Sequence, residues 1–278
     1  MSRRPAGHQA RKRFGQNFLH DPGVIDRIVR SIRPKAGEHM LEIGPGLGAL
    51  TEEILRENPA LQVLELDRDL IPILRTKFFN YPGFTIHEGD ALAFDFRTLM
   101  APDSPRLRVV GNLPYNISTP LIFHLLEQAD VIEDMHFMLQ KEVVERLAAV
   151  PGDNNYGRLG IMTQYYCQVQ PLFEVGPGAF KPAPKVDSAI VRLVPHRQLP
   201  HPAKDHKLLQ RVVRTAFNAR RKTLRKALGE LISVGQLQAL GIDDGLRPEN
   251  LTLADYVKIA DSLANEDGHS AAVEPEND

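Results

Sequence analysis

The chain has 278 residues, 42% of them hydrophobic and 25% charged, the balance of a soluble globular protein large enough for one main domain and a smaller one. Lys and Arg number 34 against 35 Asp and Glu, a formal net charge of -1, so any nucleic-acid footprint must be local rather than spread over the chain. The single cysteine, Cys167, excludes an internal disulfide framework, a thiolate zinc cluster and a Cys-x-x-Cys pair.

Arg3, Arg4, Arg11, Lys12 and Arg13 open the chain as a basic tail without the apolar stretch of a secretion signal, and no apolar run reaches the roughly 18 to 20 residues of a membrane span. A cytoplasmic protein with no membrane partner is expected. Strands are predicted at His39 to Ile43, Gln62 to Leu66, Phe84 to His87, Leu107 to Val110 and Asp134 to Leu139, most of them buried on both faces. Amphipathic helices are predicted between and after them, near Ala49 to Glu57, Leu70 to Phe79, Thr119 to Gln128 and Lys141 to Val150, with Ser118 and Thr119 offering an N-cap. This alternation argues for a doubly wound α/β sheet. A helix near Gly157 to Gln168 then precedes two β-like runs, Val169 to Val175 and Asp187 to Val194, able to pair as an antiparallel edge of the same sheet. Pro195 to Pro202 reads as a linker and Asp205 to Ala264 as helical throughout. The expected domains are therefore 1–195, 203–265 (all α) and a polar, acidic, disordered tail at 266–278.

Chemistry gathers at the carboxyl ends of the predicted strands. Glu42-Ile43-Gly44-Pro45-Gly46-Leu47-Gly48-Ala49 closes the first with glycines that let the backbone turn and approach a ligand at the next helix N-terminus. Gly44, Gly46 and Ala49 also satisfy the dinucleotide pattern G-x-G-x-x-A, so a nicotinamide oxidoreductase stays open on this motif alone. Glu65, 21 positions after Gly44, can accept from both hydroxyls of a ribose. Asp90 can accept from the exocyclic amine of an adenine, or cap the turn beside Gly89. Asp67 and Asp69 read as charges at a helix N-terminus or on the surface.

After the fourth strand, Gly111-Asn112-Leu113-Pro114-Tyr115 places an amide, a proline-stiffened bend and an aromatic at the same edge. Beside a sulfonium cofactor this turn suits methylation of an adenine N6 amine. That amine is a poor nucleophile but sheds its proton readily once methylated, so positioning serves better than a strong base. The Asn112 oxygen and the Leu113 carbonyl, its direction preset by Pro114, can take the two N6 hydrogens while Tyr115 stacks on the ring. A turn with Tyr115 as a lid on the core is the plainer reading.

Two further stretches carry a resemblance: Lys12-Arg13-Phe14-Gly15-Gln16-Asn17-Phe18-Leu19 and Phe180-Lys181-Pro182-Ala183-Pro184-Lys185-Val186-Asp187-Ser188. With the glycine loop, Glu65, Asp90 and Asn112 to Tyr115, they make the chain resemble the ribosomal RNA adenine dimethyltransferases, specifically the bacterial group that dimethylates two adjacent adenosines near the 3′ end of 16S rRNA. The resemblance runs to about Val194, and the helical remainder agrees with it. It implies a Rossmann-like class I S-adenosylmethionine methyltransferase sheet with a small all-α C-terminal domain. It also implies that Gln16, Asn17, Leu19, Gly44, Gly46, Glu65, Asp90 and Asn112 bind S-adenosylmethionine, and that Phe180 faces Tyr115 across the target base, with Asn112, Leu113 and Pro114 completing the catalytic turn. On residue type alone, Gln16-Asn17 could instead cap the helix beginning near Pro22, and Phe180 could be a core aromatic.

Between Lys204 and Lys226 nine basic residues stand against the single acid Asp205, a local charge of +8. Lys207, Arg211, Arg214, Arg221 and Arg225 would line one face of a continuous helix opposite Leu209, Val213 and Ala216, a stripe that a break near Asn218 would split. Arg220, Arg221, Lys222 and Arg225 are the candidate RNA contacts, with Lys12 and Arg13 as a second phosphate contact. A solvated helix face is the ordinary alternative. The expected partner is 16S rRNA in the small ribosomal subunit or its precursor, bound by a monomer. The competing readings are a large-subunit rRNA methyltransferase of the macrolide-resistance type and an assembly or transcription factor that keeps the fold for binding alone. A DNA adenine methyltransferase fits less well, because position 113 is leucine rather than proline. The histidines show no ligand-like spacing, so no metal is expected.

Overall fold

The structure, a computed structural model, describes residues 16–270. Arg3, Arg4, Arg11, Lys12 and Arg13, together with the end of the acidic tail from 271 on, lie outside the described residues.

The described residues form two compact units. The first joins residues 16–144 to Gln168–Pro195. It holds β1 (Phe18–Leu19), α1 (Pro22–Ile32), β2 (Met40–Ile43), α2 (Ala49–Glu57), β3 (Gln62–Glu65), α3 (Leu70–Lys77), β4 (Thr85–Glu88), β5 (Leu107–Asn112), α4 (Ser118–Leu126) and β6 (Ile132–Gln140). β7 (Cys167–Val175), β8 (Phe180–Lys181) and β9 (Ser188–Pro195) complete it. Seven strands make one sheet in the order β4-β3-β2-β5-β6-β9-β7. β2, β3, β4, β5 and β6 are parallel along that order, whereas β9 runs antiparallel to β6. β2, with Met40, Leu41, Glu42 and Ile43 all buried, sits between β3 and β5, as expected of a parallel strand covered on both faces. α1, α2, β1 and β8 share one apolar core that includes Ile28, Ile32, Ile54, Leu55, Leu19 and Phe180.

Strand order reverses between β2 and β5, because β3 and β4 lie to one side of β2 while β5 and β6 lie to the other. A crevice outside the carboxyl ends of β2 and β5 follows from that topology. Gly111 keeps it narrow: a Cβ there would fall 2.5 Å from the Ile43 carbonyl oxygen, so only glycine lets the end of β5 lie this close to the end of β2.

Some sequence expectations are corrected here. Asp21, not Gln16 or Asn17, caps α1, accepting from the amides of Gly23 and Val24 ahead of Pro22. Ser118 is the first residue of α4 rather than its cap, and its hydroxyl donates to the Tyr115 carbonyl at 3.3 Å.

The second unit joins Glu145–Cys167 to the residues from His196 on. It contains the end of α5 (Lys141–Ala148), α6 (Arg158–Tyr166), α7 (His206–Asn218), α8 (Leu224–Ala227), α9 (Val234–Ala239) and α10 (Leu253–Ser270). The segment Glu145–Cys167, expected within 1–195, groups with these helices instead. The cause is aromatic anchoring: the buried Tyr156 hydroxyl donates to the Leu251 carbonyl at 2.8 Å, and its ring meets Phe217 edge-on. α10 continues to Ser270, so the first residues of the tail expected to be disordered are helical, as each added residue brings another backbone hydrogen bond to a helix already nucleated. α7 ends at Asn218 with Ala219 as its C-cap, which splits the basic stripe between Arg214 and Arg221.

Candidate active site

Residues that are far apart in the chain line one cavity of about 340 Å³ at the crevice. β2 and its loop contribute Glu42, Gly44 and Gly46, and β3 contributes Glu65. Gly89, Asp90, Ala91 and Leu92 follow β4, Asn112 to Ile117 end and follow β5, and Gln16 to Leu19 close the remaining side. Every cofactor residue expected from the sequence therefore stands on this wall, as do Leu113, Pro114 and Tyr115.

The polar groups are oriented before any ligand arrives. Glu65 accepts from the Asp67 amide at 2.8 Å through one oxygen and from the Gly46 amide at 3.4 Å through the other. Burial raises its pKa above the ordinary glutamate value, and these backbone donors work against that rise. Asp90 caps its turn, accepting from the Leu92 amide at 2.9 Å, and also lines the cavity. The Asn112 amide nitrogen donates to the Asn17 carbonyl at 3.1 Å, which leaves the side-chain oxygen as the acceptor still unused. The Tyr115 hydroxyl is 2.5 Å from Ser188 Oγ, and burial raises the phenol pKa above its ordinary value. This bond accounts for the serine that ends the second resembling stretch.

Phe180 is placed elsewhere. Pairing of β8 with β1 sets it opposite Leu19, it is 3% exposed, and it belongs to the apolar core rather than to the cavity wall. Of the two readings of Asp67, the surface charge fails and the helix N-terminus holds: it is buried on the wall, accepts from Gln16 Nε2 at 2.9 Å, and just ahead of α3 its other oxygen accepts from the Asp69 amide at 3.2 Å. Glu42 was not singled out from the sequence either. It is 2% exposed on the wall, and its pKa is pushed up to about 7 by burial against the opposing hydrogen bond from Thr51. Its place just before Gly44 is the signal that could have found it. Among the described residues no cluster of His, Cys, Asp and Glu could hold a metal ion, and no helix is long and apolar enough to cross a membrane.

The basic candidates in the helical unit divide into two kinds. Arg220 is committed internally, with Nε 3.3 Å from Glu249 and Nη2 donating to the Asn154 carbonyl at 2.6 Å. Arg225 pairs with Asp244 at 2.8 Å. Arg221 and Lys222 are exposed between α7 and α8, and Lys207, Arg211 and Arg214 are exposed along α7.

A doubly wound sheet with one antiparallel strand near its edge and an acidic, glycine-looped cavity at the strand reversal defines a class I methyltransferase. The family model described as ribosomal RNA adenine dimethylase matches residues 7–265, and the chain belongs to that family. It is 79% identical to the ribosomal RNA small subunit methyltransferase A of Marinobacter nauticus over 93% of each chain. With the protein of the same description from Pseudomonas fluorescens the identity is 67%, over 93% of this chain and 95% of the other. Among solved structures, a dimethyladenosine transferase from Plasmodium falciparum superposes with a TM-score of 0.73 at 28% identity, covering 87% of this chain and 95% of that one. The 23S rRNA methyltransferase ErmE gives a TM-score of 0.67 at 25% identity, covering 89% of this chain and 100% of that one.

Proposed function

We propose that this protein dimethylates the N6 amines of two adjacent adenosines in the 3′-terminal hairpin of 16S rRNA, using S-adenosylmethionine, and so takes part in small-subunit maturation. The observation that carries the reading is Asn112: anchored through its nitrogen to Asn17, it offers a fixed oxygen on the same wall as the glycine loop, Glu65 and Asp90.

The donor set fits an adenosyl cofactor. Glu65, held by two backbone amides, can accept from the ribose hydroxyls, and the second oxygen of Asp90 can accept from the adenine amine. Gly44 and Gly46 allow close backbone approach, and Gln16, Asn17 and Leu19 cover the site. When bound, S-adenosylmethionine supplies an electrophilic methyl carbon on a sulfonium. The Asn112 oxygen and the Leu113 carbonyl take the two N6 hydrogens and turn the nitrogen lone pair towards that carbon. Tyr115 holds the extruded base by its ring, its hydroxyl tied to Ser188. The methylated amine loses its proton to solvent without a dedicated base, so positioning supplies the catalysis. Phe180, set opposite Leu19 of the wall, is the residue proposed to face Tyr115 across the base.

The helices of 203–265 are the proposed RNA-holding part, with Arg221, Lys222 and the exposed face of α7 as its phosphate contacts. Arg220 and Arg225 serve first to hold Glu249 and Asp244. The protein is read as a cytoplasmic monomer.

The test is methyl transfer from labelled S-adenosylmethionine to small subunits whose 3′-terminal adenosines are unmodified, with products mapped by mass. Dimethyladenosine at two adjacent positions, lost in Asn112→Ala, is the expected result. Cofactor binding without transfer by the wild type would overturn the assignment of substrate.

A further inference from the structure

Among the described residues the cavity wall carries four acids, Glu42, Glu65, Asp67 and Asp90, and no Lys, Arg or His. Three of the four have a backbone or amide partner: Glu65 takes the amides of Gly46 and Asp67, Asp67 takes Gln16, and Asp90 takes the Leu92 amide. Glu42 differs. It accepts from the Thr51 hydroxyl at 2.5 Å through one oxygen, and its other oxygen has no partner among the described residues although the residue is 2% exposed. That oxygen is not one of the sealed, unpartnered polar atoms of the interior, so it opens onto the cavity that the residue lines. Its surroundings supply little compensation. β3 presents Glu65, which repels it, and β5 presents the uncharged Asn112. Lys77 of α3 attracts it, but the ammonium is already 3.0 Å from Glu52 of α2.

Resting on the S-adenosylmethionine reading above, we propose that Glu42 reads the charge of the bound nucleoside. Its carboxylate favours the cationic sulfonium cofactor over the neutral thioether left after transfer, and the carboxyl gives up one proton to solvent as the cation enters. When the cation leaves or becomes the thioether, Glu42 takes a proton back from solvent. Glu42 thereby acts as a specificity residue that favours release of the spent cofactor before the second methylation.

With the free carboxyl titrating at about 7, the affinity for the cation is level above that pH and falls about tenfold for each unit below it. Affinity for the thioether stays flat. Calorimetric titration of the full chain with S-adenosylmethionine and with S-adenosylhomocysteine, in two buffers of different ionisation enthalpy, counts the protons. About half a proton released per sulfonium bound at pH 7, close to one at pH 6, and none for the thioether is the expected result. Glu42→Gln should abolish the release and lower the preference for the cation about tenfold at pH 8. Thr51→Val, which removes the one donor, should move the release to higher pH. Binding of both nucleosides with no proton released overturns the proposal alone, as does an unchanged release in Glu42→Gln, which would assign the proton to Glu65. Failure of the wild type to bind either nucleoside overturns the cofactor reading and this inference together.

Discussion

The bond between Tyr115 and Ser188 allows a test of positioning that leaves the stacking ring in place. Ser188 is fully buried at the start of β9, opposite Gln140 of β6, and its hydroxyl is 2.5 Å from that of Tyr115. Burial raises the phenol pKa, so both partners are neutral at the pH of the assay. A neutral hydrogen bond of this kind contributes about 1 kcal/mol net, which corresponds to roughly fivefold in rate if the bond acts only by holding the ring for transfer. Ser188→Ala and Tyr115→Phe remove the same bond from opposite ends, and each should slow single-turnover methyl transfer about fivefold. The double variant should be no slower than about fivefold, a coupling of about 1 kcal/mol. Cofactor affinity, measured separately by equilibrium binding, should not change in Ser188→Ala, since Ser188 is not on the cavity wall. Multiplied effects of about 25-fold in the double variant would refute the reasoning, because the two side chains would then act independently.

Three other outcomes follow from the geometry. Gly111→Ala places a Cβ 2.5 Å from the Ile43 carbonyl oxygen and should force β5 away from β2, destabilising the fold by about 1–3 kcal/mol and weakening cofactor binding more than tenfold, as followed by urea unfolding and equilibrium binding. His136, buried on β6, has its pKa lowered to about 4 by desolvation, so the unfolded chain binds its proton more readily than the folded one. Its share of stability is therefore intact above the ordinary histidine value near 6.5 and is lost as pH falls from there towards 4; His136→Leu should flatten the urea-unfolding profile across that window by up to about 3 kcal/mol. Arg221→Ala with Lys222→Ala should lower the slope of log affinity for rRNA against log salt by about two, whereas Arg220→Ala, which unpairs Glu249, should lower Tm more than it alters that slope.

The chemistry that depends on a strand end was legible in the sequence, and the chemistry that depends on packing was not. Gly44, Glu65, Asp90 and Asn112 each end or follow a strand with a clear apolar pattern, so a parallel sheet had to bring them to one edge. Glu42 and Asp67 stand beside them in the chain, yet their character comes from burial: β2 is enclosed by β3 and β5, and Gln16 reaches Asp67 across 51 positions. Phe180 is a case in which residue type alone cannot separate a stacking aromatic from a core one: the pairing of β8 with β1 sets it opposite Leu19 of the wall, and its ring joins the apolar core beneath. The run Arg220-Arg221-Lys222 is uniform in sequence, and only Glu249, 29 residues on, separates its internal member from its exposed ones. The same dependence decides what the cavity can hold. Three of the four acids, Glu65, Asp67 and Asp90, have a local reading as a ribose acceptor, a helix-terminal or surface charge, or a cap, and none of these readings predicts the sum. Four carboxyl residues, with no base beside them among the described residues, make a site whose electrostatics favour a cation, and the buried member with one oxygen unused is the place where that preference can be titrated.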